Sequence, residues 1–243
     1  MLLEAAVALN ENRLHDAEPL LRQHLKADPF DVAAIRMLAE LAGRIGRLRD
    51  AETLLRRAVD IAPNFIPARS NLAIVLYRQN RADEAIAELE TLSALDPEDV
   101  THDSLKAAAK GRLGDYDEAI ALYGSVLERF PDQPKIWMSY GHLLKTVGKQ
   151  SESVAAYRRA LEISPALGEV WWSLANLKTV RFDDADIALM DKGLLEDSDG
   201  QAVDFSNTVI ILTSNVGAEL LERARGRPVA AGAAGIRGHA GAA

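Results

Sequence analysis

Apolar residues along most of this chain follow a pattern that is typical of helices. Segments rich in alanine and leucine fill almost all of the first 190 residues. The pattern changes at residues 208–213, a short apolar run rich in β-branched residues that Ser214 and Asn215 close. A run of that kind predicts a strand. The sequence therefore predicts a long helical region followed by one short extended segment.

Prolines divide the helical region at a constant interval. Pro29, Pro63, Pro97, Pro131 and Pro165 each lie 34 residues after the one before. A proline has no backbone N–H to donate, so each one predicts the end of a helix. If repeats are counted from three residues after each proline, the chain holds a partial repeat, four full repeats and a degenerate one. They span residues 1–31, 32–65, 66–99, 100–133, 134–167 and 168–190.

Each repeat carries small residues in two fixed positions, where we expect two helices to approach closely. Position 8 of the successive full and degenerate repeats holds Ala39, Ala73, Ala107, Gly141 and Ala175. Position 20 holds Ala51, Ala85, Ala119 and Ser153. Large residues fill neighbouring positions, among them Leu55, Leu89 and Tyr157 at position 24. The spacing predicts two helices per repeat, packed through these small residues.

Position 15 predicts the turn between the two helices of a repeat. It holds Gly46, Asn80, Gly114 and Gly148. Glycine and asparagine tolerate the left-handed conformation that often ends a helix. In the degenerate repeat this position is Phe182, and the repeat pattern fails from there on.

A 34-residue period with these positions resembles the tetratricopeptide repeat (TPR) family. The resemblance implies an all-α fold, a solenoid of antiparallel helix pairs, and we expect a short β-hairpin-like or poorly ordered segment at the C-terminal end. It also implies a concave groove lined by the first helix of each repeat, mainly at positions 2, 5, 9 and 12. The groove residues that this predicts are Arg36, Tyr77, Lys135, Met138, His142, Lys145, Trp172 and Asn176.

These groove residues suit a protein or peptide ligand. Trp171 fills the core position, as Trp137 does one repeat earlier, so Trp172 is free to act as an exposed anchor near Lys145. A mixed basic and aromatic surface in an acidic protein favours an acidic or C-terminal peptide. The TPR carboxylate clamp for chaperone tails needs lysine at position 5 and asparagine at position 9. The chain has Arg36 and Glu40 there, so the sequence does not predict chaperone binding.

Residues 131–190 resemble the repeat region of bacterial TPR proteins that carry a C-terminal sulfotransferase domain. The phrases "WMSYGH" and "WSLANLKT" carry that resemblance. The catalytic part of that family has a phosphate-binding loop resembling P-R-S-G-[ST], and the sequence contains no such segment. The resemblance therefore implies a scaffold without sulfotransferase activity.

Residues 191–221 resemble a different family, the Clp-type (ClpV-like) AAA+ ATPases of type VI secretion. The segment "DKGLLEDSDGQAVDFSNTVIILTSNVGAELL" carries the resemblance, which makes Asn215 the sensor-1 residue that orients water near a γ-phosphate. The sequence has no G-x-x-x-x-G-K-[ST] loop, and "GHLLKTVGKQ" at 141–150 is already explained by repeat positions. We therefore expect Asn215 to be inactive and the chain to need no cofactor.

These resemblances predict three regions: TPR repeats at 1–190, an AAA+ sensor-1-like fragment at 191–221, and a Gly/Ala/Arg-rich tail at 222–243 that we expect to be disordered. Two interpretations of function remain open. The chain is a binding scaffold without catalytic activity, or it is the truncated or fused remnant of a TPR-sulfotransferase or a Clp-type ATPase.

Composition narrows the function classes further. A net charge of -8 argues against nucleic-acid binding, and the absence of cysteine excludes a thiolate nucleophile or metal ligand. No apolar run approaches the roughly 18 residues that a membrane span needs. We expect a cytoplasmic protein with no membrane segment. The five histidines are scattered, and the aspartates at 183–191 fit helix capping better than metal binding, so we expect no metal site.

Overall fold

A computed structural model describes residues 1–97, 99, 101–191, 194–196 and 202–204. Helices dominate the described residues, as the sequence predicts. In the order of the chain they are α1 (Leu2–Asn10), α2 (Leu14–Ala27), α3 (Val32–Arg44), α4 (Leu48–Ile61), α5 (Ile66–Arg78), α6 (Ala82–Leu95), α7 (Thr101–Leu113), α8 (Tyr116–Arg129), α9 (Pro134–Thr146), α10 (Gln150–Ile163), α11 (Gly168–Asn176) and α12 (Asp184–Asp191).

The helices end where the prolines predict. The residue before each of the five prolines caps a helix or closes the last turn, and it adopts an extended conformation. Asp28 has φ −128° and ψ 88°, and Ser164 has φ −136° and ψ 89°. A proline disfavours the helical conformation in the residue before it, so the break is local in origin. The predicted breaks are confirmed.

The turns inside the helix pairs also follow the prediction. Gly46, Gly114 and Gly148 have φ values of 80°, 92° and 82°, and Asn80 has φ 63°. Asn12, at the equivalent place in the partial repeat, has φ 57°. These values lie in the left-handed region, which glycine and asparagine enter at low cost.

The core lies between the two helices of each pair and between successive pairs. One apolar cluster joins α3, α4 and α5, in which several alanines of the three helices are buried together with Leu55 and Leu72. In the four full repeats the small residues at positions 8 and 20 are buried, including Ala39, Ala85 and Ser153, whereas Ala175 of the degenerate repeat is partly buried. Close contact through small side chains therefore holds the pairs together, as the sequence predicts.

The first helices of the pairs contact one another in order. In the unit Met1–Ser164, α1 contacts α3, α3 contacts α5, α5 contacts α7 and α7 contacts α9. They form a continuous layer, and we call its surface at positions 2, 5, 9 and 12 of the repeats, with the helix C-terminal ends, the first-helix face.

A second compact unit begins at Pro165. Its first helix, α11, ends at Asn176, and Lys178 with φ 58° takes the place of the usual glycine turn. The N-terminal end of α12 has a reciprocal cap, because the Asp186 amide donates to the Asp183 carboxylate at 2.8 Å and the Asp183 amide donates to Asp186 at 3.2 Å. The predicted capping role of these aspartates is confirmed.

Two short strands follow α12. Strand β1 (Leu194–Glu196) pairs antiparallel with β2 (Ala202–Asp204), and Leu195 lies opposite Val203. This agrees with the predicted hairpin-like segment. The strand predicted at 208–213, Asn215 and the tail predicted to be disordered lie outside the described residues. The division into regions 1–190, 191–221 and 222–243 stays a prediction.

Candidate functional site

Six of the predicted groove residues lie in the first unit, on three different first helices. Helix α9 contributes four of them, which are Lys135, Met138, His142 and Lys145. Arg36 lies on α3 and Tyr77 on α5. Trp172 and Asn176 lie on α11 in the second unit. The structure thus gathers four of the residues on α9, while Arg36 and Tyr77 stand on separate helices and Trp172 and Asn176 share α11.

Arg36 is held by carboxylate contacts on its own helix. Its Nη1 lies 3.0 Å from Glu40 Oε2, and the other oxygen of Glu40 lies 2.6 Å from Arg44 Nη2. The three residues are spaced at i, i+4 and i+8, which places them in one row on the helix surface. Arg36 and Arg44 therefore share the one carboxylate of Glu40.

The face of Tyr77 is covered by an arginine of the next first helix. The guanidinium carbon of Arg112 lies 3.8 Å from the centre of the Tyr77 ring, which is a cation–π contact. Arg112 Nη1 also donates a hydrogen bond to the Tyr77 carbonyl at 2.9 Å. Tyr77 and Arg112 therefore form one composite surface rather than an isolated aromatic anchor.

The contact from Arg112 belongs to a series that the sequence analysis missed. Arg44 Nη1 donates to the Leu9 carbonyl at 2.7 Å, and Arg78 Nη1 donates to the Gly43 carbonyl at 3.0 Å. The last carbonyls of a helix lack internal partners and carry the negative end of its dipole, so a cation stabilises them. We call Arg44, Arg78 and Arg112 the arginine ladder. Their 34-residue spacing at position 13 was the available signal.

The α9 residues differ in how far they reach the surface. Met138 and His142 are half-buried, while Lys135 and Lys145 are exposed. The His142 ring stands edge-on to Tyr157 of α10, with the ring centres 5.4 Å apart. The α9 surface is therefore marked by a half-buried methionine and histidine with a lysine at each end of the helix.

Trp172 is the most exposed of the aromatic residues of α11. Its side chain is 68% exposed, whereas that of Trp171 is 4% exposed. The Trp171 indole N–H donates to the Pro165 carbonyl at 2.9 Å, and Trp137 makes the same bond to Pro131 at 2.7 Å. The predicted packing role of Trp171 is confirmed, and Asn176 is exposed on the same helix as Trp172.

One side-chain group on the first-helix face superficially resembles a catalytic relay. His102 Nε2 lies 3.4 Å from Ser70 Oγ and 3.5 Å from Asp99 Oδ2. A nucleophilic relay needs the serine and the carboxylate on opposite ring nitrogens, and here both approach the same one. The geometry is therefore that of a structural contact between α5 and the start of α7.

Metal and membrane features were sought in the same part of the chain. Within the described ranges, no three histidine, aspartate or glutamate side chains are placed to hold a metal ion. Of the helices that the structure describes, none is long and apolar enough to span a membrane.

Stacked helix pairs with one continuous face define a helical repeat scaffold, a class of fold that supports protein binding. Two models of the family described as "Tetratricopeptide repeat" match the chain, one at residues 44–109 and the other at residues 2–64 and 104–167. The second alone covers more than half of the chain. The chain belongs to the tetratricopeptide repeat family.

Solved structures agree on the fold. MamA from Desulfovibrio magneticus RS-1 is similar with a TM-score of 0.61 and 15% identity, over 68% of this chain and 93% of that one. YrrB, described as "a TPR protein with an unusual peptide-binding site", is similar with a TM-score of 0.58 and 16% identity, over 70% of this chain and 87% of its own. At these identities the likeness concerns the fold.

A short stretch of the chain is also similar to curated chaperones. The chaperone protein ClpB of Yersinia enterocolitica is 58% identical over 33 residues, which are 14% of this chain and 4% of ClpB. The chain thus spans a small fraction of the length of these relatives.

Proposed function

We propose that this chain is a peptide-binding scaffold without catalytic activity, and that its ligand lies on the first-helix face with the main contacts on α9. The repeat fold supports a protein or peptide partner. YrrB, a protein of similar fold, is described as having a peptide-binding site. Arg36 and Tyr77 of the same unit belong to the proposal as further contacts, whereas Trp172 and Asn176 of the second unit stay predicted groove residues.

The single observation that carries the proposal is the arrangement of residues on α9. Lys135, Met138, His142 and Lys145 follow one another at intervals of three, four and three residues, which puts them along one face of a helix. Helix α9 packs against α7, α8 and α10, and Lys135 and Lys145 remain exposed on it, so these two lysines can meet a ligand. Lys145 is exposed in the last turn, where a long cationic side chain can reach an acidic group.

Charge reversal at Lys145 tests this proposal. The full chain is applied to an array of random dodecapeptides, and we expect Lys145→Glu to abolish the binding of peptides that the unmodified chain retains. Lys26→Glu is the matched control, because Lys26 is also an exposed lysine in the last turn of a helix, on the second helix of its pair. The proposal would be contradicted if the unmodified chain retained no peptides, or if both variants lost peptide binding equally.

The second candidate function concerns the C-terminal region. In this alternative the chain is a remnant of a Clp-type AAA+ ATPase or of a TPR-sulfotransferase, joined to the repeats and lacking a phosphate-binding loop. The short ClpB similarity favours the Clp-type origin. Nucleotide binding is the property that separates this alternative from the scaffold.

A further inference from the structure

We propose that the C-terminal ends of α5 and α7 form a docking site for an acidic peptide segment that carries a large apolar residue beside its carboxylates. The site consists of Ile74, Tyr77, Arg78 and Arg112, and we call it the α5–α7 site. The inference rests on the proposed peptide-binding function and names the chemistry of one class of partner.

The apolar part of the site is an exposed isoleucine. The Ile74 side chain is 45% exposed, and Tyr77 and Arg78 lie three and four residues further along the same helix. Residues at these intervals are neighbours on a helix surface. Helix α7 contacts α5, and the stacking of Arg112 on the Tyr77 ring brings the last turns of the two helices together. An apolar ligand side chain placed on Ile74 would therefore lie next to Arg78 of the same helix and to the Tyr77 ring on which Arg112 stacks.

The charges of the site are not balanced by carboxylates of the protein. Within the part of the chain that the structure describes, the ion pairs include Arg44 with Glu40 and Arg81 with Glu52, but none that involves Arg78 or Arg112. Both side chains instead bond to backbone carbonyls. A guanidinium has five N–H donors, so one bond to a carbonyl leaves donors for a carboxylate.

The carbonyl bonds also hold both guanidinium groups in place before a ligand arrives. Arg78 is fixed by the Gly43 carbonyl, and Arg112 by the Tyr77 carbonyl and by the Asn80 side chain at 3.4 Å. A side chain that is already ordered loses less conformational entropy on binding. Each of the two arginines is therefore a preorganised cation at the edge of the first-helix face.

Charge complementarity identifies an acidic peptide as the occupant. Two arginines that have no carboxylate partner among the described residues stand in a protein of net charge -8, so the local field favours an anion although the protein as a whole repels a highly charged one. A nucleic acid carries a charge on every phosphate and would meet that repulsion along its length. A short acidic segment with an apolar residue meets both the arginines and Ile74.

Fluorescence anisotropy with a labelled peptide of sequence Gly-Asp-Glu-Leu-Asp-Glu-Gly tests the proposal on the full chain. We expect the combined change Arg78→Gln and Arg112→Gln to weaken binding by about tenfold or more, the ratio that corresponds to about 1.4 kcal/mol. Ile74→Ala should weaken it severalfold without a change in melting temperature, because Ile74 is exposed. A peptide with lysines in place of the acids should not bind, and added salt should weaken the acidic peptide.

Arg44→Gln is the matched control for a structural role. It removes the same kind of carbonyl bond, but Arg44 is ion-paired with Glu40 and lies outside the α5–α7 site, so peptide affinity should be retained. Equal losses with Arg44→Gln, tighter binding of an oligothymidylate than of the peptide, or no effect of the Arg78 and Arg112 changes would each overturn the inference. If the Arg78 and Arg112 changes have no effect but Lys145→Glu abolishes peptide binding, the inference fails and the proposed function is still supported.

Discussion

A β-carbon on Gly141 would lie 2.6 Å from Cε1 and 2.7 Å from Cδ1 of Tyr157. The two residues occupy positions 8 and 24 of their repeat, where repeat 66–99 has Ala73 and Leu89. Tyr157 is fully buried, so its ring has little room to move. The glycine therefore makes space for the tyrosine, and the two residues form one packing unit.

Gly141→Ala should destabilise the protein. Alanine favours a helix over glycine by about 1 kcal/mol, but overpacking a buried contact costs roughly 1–3 kcal/mol, and we expect the second effect to dominate. In a Tyr157→Leu background the same change should instead raise the free energy of unfolding, because leucine leaves room for the methyl group. Urea unfolding of the four proteins measures both effects, and the same sign in both backgrounds would contradict the packing explanation.

Ala85→Trp tests the repeat register. Ala85 is fully buried at position 20, so a bulky ring there should cost on the order of 1–3 kcal/mol or more. Ala87 lies on the same helix and is exposed, and Ala87→Trp should leave the melting temperature nearly unchanged. Thermal unfolding of the two variants gives the comparison. Equal melting temperatures would show that position 20 does not lie at the helix contact.

Tyr123 should make the protein sensitive to alkaline pH. Burial raises the pKa of Tyr123 from 10.0 to about 12, while its hydrogen bond with Ser139 acts in the opposite direction. At a pH between these two pKa values, the tyrosine has lost its proton in the unfolded chain and has kept it in the folded protein. The stabilisation is therefore complete below pH 10 and is lost as the pH rises toward 12, by about 2–3 kcal/mol.

Urea unfolding across this pH range measures the effect. Tyr123→Phe should flatten the fall in the free energy of unfolding, since phenylalanine has no proton to lose. Tyr116→Phe, a change at an exposed tyrosine, is the control. If both variants flatten the pH dependence equally, the burial of Tyr123 is not its cause.

Magnesium-ATP should not bind to the chain, although Asn215 stands in a sensor-1-like segment. A nucleotide site also needs a phosphate-binding loop, which the sequence lacks. The loss of any one part of such a site severely reduces its activity. A ligand at 100 times its dissociation constant would stabilise the fold by about 2.7 kcal/mol, which thermal unfolding detects easily. A rise in melting temperature with magnesium-ATP that Asn215→Ala removes would favour the ATPase remnant over the scaffold.

Much of the fold could be predicted from residue types at a fixed period. The helix ends at Asp28 and Ser164 follow from the next residue, because a proline restricts the backbone before it. The turn at Asn80 follows from the low cost of left-handed conformations for asparagine. The small residue at Ala85 marks a helix contact because no larger residue recurs at that position. These features are local or periodic, so one sequence displays them.

The candidate site could be predicted only as a set of residues on one kind of helix. The sequence placed Arg36 and Tyr77 in the groove, and the structure adds that Arg36 is paired with Glu40 and that Arg112 covers the Tyr77 ring. The period of the arginine ladder is visible in the sequence, but its contacts join residues 35 positions apart.

Residue types at a fixed period account for where the helices begin and end, how they pair, and which positions are small. The tertiary structure alone decided which charges are balanced and which remain for a partner. Which hydrogen-bond acceptor the guanidinium group of an arginine reaches depends on the distance and direction between successive helices. Packing of the whole stack sets these quantities, so Arg78 reaches the Gly43 carbonyl only once α3 and α5 lie side by side.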